Sequence, residues 1–489
     1  MSTKMIQRKN FTEGPLFFRI TLFALPIMLT GILQICYGMA DNIVVGKFSG
    51  DPNALAAVGS TTSLTNLIIN LLLGIAGGTG VVVAQCFGAR EDRNVSRAVH
   101  TALAFSVMGG VFISVLGLII SKPVLELMDT KIEILDSATL YLRIICIGIP
   151  ANSLYNFGAS VLRSTGDSKS PLIILSSSGI INVILNLVFV IGCKMTVDGV
   201  AFATIISQYI SAVTVVFVLS RKRGESFCFS FDKLCFDKRL FKRILRYGIP
   251  AGIQGSMFSI GNVLMTSAVN TFPTSTVTAN TIASNIDALT YTSMNSFAQA
   301  SMTFVGQNYG AVKKERIKKS IIYCIIQVAV IGNLVAYTEL IFGKSIINLF
   351  VDSASPDKEV IIETTYSIMK LLLTTYILCG FMDVFSAAVR GLGCALSPML
   401  VSISCICGIR IFWIYVIFPM ESMNTITGLY TAYPASWGAA LIGMIIILIF
   451  TLRKLDRNEE KNQKNVNVSQ KNEQIVENNE ENVANIKGS

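Results

Sequence analysis

"LRSTGDSKSPL" (residues 162–172) and "VRGLGCALSPM" (residues 389–399) are one phrase written twice, pairing Arg163 with Arg390 and Pro171 with Pro398 at an offset of 227. "AQCFGA" (84–89) returns as "GQNYGA" (306–311) at an offset of 222, and "ALPIMLTG" (24–31) as "GIPAGIQG" (248–255) at 224. Three matches at nearly one offset mark an internal duplication, the sequence sign of a protein built from two related halves.

Each half is filled by long apolar stretches. A membrane span needs about 20 mostly apolar residues to cross roughly 30 Å of hydrocarbon. Twelve such stretches are predicted, near 16–46, 55–85, 97–120, 137–162, 171–192, 199–220, 244–268, 277–306, 319–342, 361–388, 397–418 and 431–452. Six spans per half, an even number, give both halves the same orientation, so the expected fold is all-α, with two six-helix lobes related about the membrane normal. The expected organisation is an N-terminus (1–15), an N-lobe (16–220), a basic linker (221–243), a C-lobe (244–452) and a disordered tail (453–489) rich in Asn, Glu and Lys.

Composition agrees: 52 % of the 489 residues are apolar and only 14 % charged, far from a soluble domain. The net charge of +10 does not point to nucleic acid, because the basic residues fall in alternate loops such as "REDRNVSR", "RKRGES" and "KKERIKK". The intervening loops, such as "GKFSGDPN" and "CKMTVDG", hold few. By the positive-inside rule both termini are expected in the cytoplasm of a plasma-membrane protein. The N-terminus shows no cleavable signal, so the first span is expected to be kept. With His100 the only histidine and no CxxC among 11 cysteines, no metal or haem cofactor is expected. "IFGKS" (341–345) lacks the first glycine of a phosphate loop, Thr338 standing there, so transport would draw on an ion gradient.

Polar residues inside spans carry the functional reading. Asp41 interrupts "LTGILQICYGMADNIVVGKF" (29–48), where an aspartate costs about 2.5–3.5 kcal/mol to insert at a helix centre. Thr30, Gln34, Tyr37 and Asp41 recur at helical spacing on one face, beyond a bend expected at Pro26. Ser178, Asn182 and Asn186 form a second stripe, and Thr204, Gln208 and Ser211 a third. Such neutral oxygens suit a monovalent ion or a hydrogen-bond relay, and equally helix–helix contacts. In the second half Gln254 takes the repeat position of Thr30, while Met265 takes that of Asp41, so the lobes are chemically unequal. Asp287 (sharing a face with Tyr291 and Asn295) and Asp383 are further candidates, either as ion sites or as satisfied buried acids. Arg143 and Lys370 are expected to snorkel, and Arg410 to partner buried polar groups.

The stretches "EGPLFFRITLFALPIMLTGILQICYGMADNIVVGKFSG", "SNIDALTYTSMNSFAQASMTFVGQNYGA" and "AAVRGLGCALSP" closely resemble multidrug and toxic compound extrusion (MATE) transporters, nearest the bacterial DinF-like branch, over roughly residues 13–452. The resemblance implies an efflux antiporter, not an enzyme, that exports cationic or amphipathic small molecules in exchange for H⁺ or Na⁺. It implies an ion site at Asp41, Asn182, Asn186 and Thr204, able to take a proton or Na⁺. The departure is Asn186, where some members carry an aspartate, which leaves Asp41 the only formal charge of the set. Thr30, Gln34, Tyr37, Gln254, Asp287 and Asp383 are expected along the substrate cavity, although the family's second-half carboxylates are not cleanly matched by the last two. Partners would be the substrates and membrane lipids, and the chain a monomer. The alternatives are a lipid-linked glycan flippase, expected to line its cavity with several Arg and Lys, and a receptor or sensor that binds without transporting.

Overall fold

The computed structural model describes residues 10–48, 53–351 and 356–457; most of the expected tail (458–489) and residues 1–9 lie outside them. Among the described residues there is no strand. The first half holds α1 (Leu16–Phe48), α2 (Ala54–Gly88), α3 (Asp92–Leu127), α4 (Ile132–Ser164), α5 (Lys169–Gly192) and α6 (Val197–Arg221). The second holds α7 (Lys238–Val269), α8 (Thr274–Gly310), α9 (Lys314–Ile341), α10 (Lys358–Gly391), α11 (Leu396–Ile417) and α12 (Ile426–Arg457). Twelve membrane-crossing helices in two lobes of six is the predicted fold. The described residues through Met444 pack as one compact unit; the second begins at Ile445 and is helical as far as Arg457, which takes in the first five residues of the expected tail.

Nine of the twelve are plainly apolar over a membrane's thickness. The others, α4, α7 and α8, have 33, 32 and 37 residues and are long enough to cross, but carry more Ser, Thr, Asn and charged residues. All three line the central cavity, which relaxes the demand for apolar side chains.

The duplication is geometric as well as textual. Gly166 and Gly393, at equal places in the two copies of the opening phrase, both take positive φ (98° and 87°), a conformation that costs glycine little. Arg90 and Val312, also repeat mates, share φ values of 59° and 56°. α5 and α11 both end in a π-helical turn (Val188–Gly192 and Trp413–Ile417).

The lobes are not cleanly sequential. Leu16, Ile20, Phe23 and Ile27 of α1 join the C-lobe core around Phe297 and Phe304. Reciprocally, Leu240 and Ile244 of α7 join the N-lobe core around Val82 and Phe157. Each first helix therefore starts against the opposite lobe and passes its proline, Pro26 or Pro250, on the way along. Phe11 anchors the entry to α1, stacking on Phe304 at 4.0 Å and meeting Phe23 edge-on at 5.3 Å.

The linker is shorter than predicted, because Asp237 caps α7 by accepting from the N–H groups of Arg239 (3.0 Å) and Leu240 (3.1 Å). His100 pins it to α3: Nδ1 donates to the Ser96 carbonyl (2.7 Å), and Nε2 accepts from the Ser230 N–H (3.2 Å). In the turn between α4 and α5, burial works against the charge of Asp167. Bonds from the Ser170 N–H and hydroxyl and from Lys222 (3.0 Å) outweigh it and hold the carboxyl below the usual carboxylate range.

Truncating Phe11 to Ala removes an aromatic anchor that joins α1 to the C-lobe. Such core losses cost about 3–5 kcal/mol, so thermal unfolding in detergent should begin several degrees lower for Phe11→Ala, and an unchanged melting curve would contradict this anchoring.

Candidate functional site

Asp41 lies far along α1, where the helix has left the C-lobe and packs on α5. Asn186 Nδ2 donates to Asp41 Oδ1 at 2.5 Å and lies 3.4 Å from Asn182 Oδ1. Asn182 Nδ2 reaches Thr204 Oγ1 at 3.5 Å, and the Thr204 hydroxyl donates to the Val200 carbonyl at 2.9 Å. Thr204 also stands beside Asp41, and Tyr141 of α4 lies within its electrostatic reach. The four residues named for the ion site thus form one cluster across α1, α5 and α6. Asn182 and Asn186 are buried, and Asn186 Oδ1 has no hydrogen-bond donor. One carboxylate, two amide oxygens and a hydroxyl are hard oxygen donors of the kind a proton or alkali cation takes.

A cavity of about 570 Å³ lies between the lobes, lined by α1, α2, α4, α7 and α8 and by Arg390 of α10. Thr30 and Gln34 line it, as do Tyr291 and Asn295. Tyr37, Gln254, Asp287 and Asp383, expected there, do not. Tyr37 and Asp41 share the face of Thr30, but Asp41 sits about 16 Å farther along the axis. At that depth α5 covers the face: the Tyr37 ring packs on Gly179 and its hydroxyl donates to the Ser176 carbonyl (3.2 Å). Gln254 is consumed inside the C-lobe, where Nε2 meets Ser402 Oγ (2.9 Å) and Ser386 Oγ (3.2 Å). Asp287 accepts from the Tyr376 hydroxyl (3.2 Å), because two i+4 steps from Asn295 turn a helix face by roughly 80°. Asp383 is buried behind Asn295. Arg410 donates to Asn262 Oδ1 (2.9 Å) and lies over the Tyr433 ring, the structural partner expected of it.

At the end of the bundle that carries the linker, two repeat-related glutamines close the cavity. Gln85 Nε2 donates to the Gly391 carbonyl (2.8 Å), and Gln307 Nε2 to the Ser164 carbonyl (2.7 Å). Each reaches the opposite lobe. Their oxygens are held too, Gln85 Oε1 by Arg243 (2.5 Å) and Gln307 Oε1 by the Phe11 N–H (2.9 Å). Gly88 and Gly310, three residues on from the glutamines, lie directly against the backbone of Gln307 and Gln85, where a Cβ would collide.

Sequence reasoning passed over these glutamines, the cavity-lining Arg163 and Arg390, and Glu339, which is buried beside Thr290 and Asp287. The repeat was the available signal for the first four: each belongs to a matched pair. Glu339 has none.

A two-lobed, twelve-helix chain with a central cavity and one carboxylate held among buried amides in one lobe is a polytopic membrane protein of the architecture that alternating-access carriers use. The MatE family model matches residues 26–188 and 250–416. The chain is 30 % identical over 435 residues to the "Probable multidrug resistance protein YoeA" of Bacillus subtilis (strain 168), covering 86 % of this chain and 91 % of that one. Its fold superimposes on a crystal structure of MATE in complex with MaL6 (TM-score 0.85, 24 % identity, 93 % of this chain, 100 % of that one). It also matches an outward-facing multidrug resistance MATE family transporter of the MOP superfamily (TM-score 0.84, 23 % identity, 94 % and 100 %). The chain belongs to the MATE family of multidrug efflux transporters, and is a transporter rather than an enzyme.

Each reciprocal glutamine bond is worth about 1 kcal/mol, roughly fivefold in an opening equilibrium. Gln85→Leu and Gln307→Leu should each speed alkylation of a Ser164→Cys reporter severalfold, followed by peptide mass spectrometry. Equal rates in all backgrounds would remove these bonds from the closure.

Proposed function

We propose that this chain is a secondary active antiporter of the plasma membrane that exports amphipathic small molecules in exchange for H⁺ or Na⁺ loaded at Asp41. The observation that carries this reading is the hydrogen-bonded set Asp41–Asn186–Asn182–Thr204, with the buried Asn186 Oδ1 lacking a donor. As oriented, Asn186 offers its N–H to Asp41, which suits an ionised carboxylate. A half-turn of the amide would present the oxygen to a protonated carboxyl or to Na⁺, so the pair is a switch between unloaded and loaded states. The chain works as a monomer among membrane lipids, with both termini and the linker cytoplasmic.

In that orientation the glutamine closure seals the cytoplasmic side. Loading Asp41 removes its charge, reorders the contacts of α1 with α5 and α6, and bends α1 near Pro26, where its packing passes between lobes. Thr30 and Gln34 lie between that proline and the cluster, so the bend alters the cavity wall and releases substrate outward. Deprotonation or Na⁺ release to the cytoplasm resets the cycle. One charge moved through 100 mV supplies about 2.3 kcal/mol, nearly fiftyfold in substrate ratio. Of the two substrate classes the family suggests, the amphipathic one fits better than the purely cationic, since the cavity lining includes Arg163 and Arg390 and no carboxylate.

Efflux of a fluorescent amphipath from proteoliposomes, under imposed pH or Na⁺ gradients, tests the coupling. Asp41→Asn should lose gradient-driven efflux by at least tenfold, and wild-type rates under both gradients would overturn the proposal. Asn186→Asp restores a second charge and should raise Na⁺ dependence; unchanged Na⁺ dependence would remove residue 186 from the ligand set.

A further inference from the structure

Arg163 and Arg390 are repeat mates that the coupling chemistry leaves unused. Each is the next-to-last residue of its helix, α4 in the N-lobe and α10 in the C-lobe, and both line the same cavity. Each lies deep within the protein yet keeps part of its surface bare, because that surface faces the cavity. Neither guanidinium makes a hydrogen bond or an ion pair among the described residues, and Arg390 Nε is buried without an acceptor. Around Arg163 the interacting titratable group is Tyr155, a neutral phenol. Around Arg390 they are Tyr291 and Asp383; Asp383 sits two turns back on α10, forms no ion pair with it and lies outside the cavity lining.

Enclosed charges are normally paired, because removing an ion from water costs several kcal/mol that only a counter-charge and hydrogen bonds recover. Here two guanidiniums face one chamber whose lining holds no Asp or Glu. Guanidinium forks match carboxylate and phosphate oxygens bidentately. The same lining also carries apolar side chains, Ile27, Ile69 and Leu73, set among neutral polar ones such as Thr30 and Asn70.

We propose that Arg163 and Arg390 form a composite anion-binding subsite, one guanidinium from each lobe, and that the cargo carries a carboxylate or phosphate on an amphipathic body. This rests on the cavity being the substrate chamber, as proposed above. The arginines adjoin the carbonyls that Gln307 and Gln85 hold, at Ser164 and Gly391. A bound anion therefore adds its own bridge between the lobes at the closed end and leaves when the lobes separate there.

Fluorescein and rhodamine 6G share a xanthene ring system and differ in charge, anionic against cationic. Binding of each is read by fluorescence polarisation to the full chain in phosphatidylcholine nanodiscs. Wild type should bind fluorescein at least tenfold more tightly than rhodamine 6G. Arg163→Gln and Arg390→Gln should each weaken fluorescein about tenfold without weakening rhodamine 6G, and the Lys variants should recover part of the loss. Equal affinities for the two dyes in wild type would overturn the proposal, as would Gln variants that bind fluorescein undiminished. The wild-type comparison stands even if a variant does not fold. Nanodiscs containing phosphatidylglycerol separate the sources: competition with fluorescein that depends on both arginines assigns the anion to a lipid headgroup at this same subsite, and no competition assigns it to a free solute. These binding measurements use no ion gradient, so they report on the arginine subsite alone, whereas gradient-driven efflux of the Asp41 variant reports on the coupling; a failure of one reading is therefore distinguishable from a failure of the other.

Discussion

Two glutamines tie the lobes together. Gln85 and Gln307 each send an amide across to a carbonyl at the end of the other lobe's cavity-lining helix, and each has its own oxygen satisfied. Glycines three residues on let the two backbones touch there. In a bilayer, helix association has little hydrophobic driving force, so close packing and interhelical hydrogen bonds must supply it. The cavity, its closed end and the placement of the two arginines all depend on that crossing. Because each contact is modest, the closure can hold one state and still be exchanged for another within a transport cycle.

The second organising feature is inequality between otherwise matched lobes. The N-lobe encloses a carboxylate with two amides and a hydroxyl, while the repeat position in the C-lobe is the buried Met265. The C-lobe's own buried acids, Asp287, Asp383 and Glu339, lie within its interior and off the cavity wall. α1 links the two settings: it starts in the C-lobe core, passes Pro26, lines the chamber with Thr30 and Gln34, and ends beside the Asp41 cluster. A change of charge at Asp41 therefore acts on a helix that touches both lobes and the cavity.

Much of this was legible in the chain. Span count, the duplication and the Asp41–Asn182–Asn186–Thr204 grouping follow from hydropathy, offset and resemblance, since apolar length and repeat spacing are one-dimensional properties. The cavity wall was less legible. Tyr37 shares a helix face with Thr30 yet packs on Gly179, and Gln254 shares Thr30's repeat position yet is held by Ser386 and Ser402. Helical spacing fixes direction around an axis; it does not fix which neighbour stands opposite at a given depth.

By itself, then, the sequence determined a duplicated twelve-helix membrane protein and the residue types of its polar stripes, because a bilayer demands long apolar helices and tolerates polar stripes only where they have work or partners. Tertiary structure alone decided which stripe faces the chamber, that α1 and α7 begin in the opposite lobe's core, and that Arg163 and Arg390 look into one shared space. Those are relations between helices hundreds of residues apart, set by crossing geometry and close backbone contact, and no spacing within one helix encodes them.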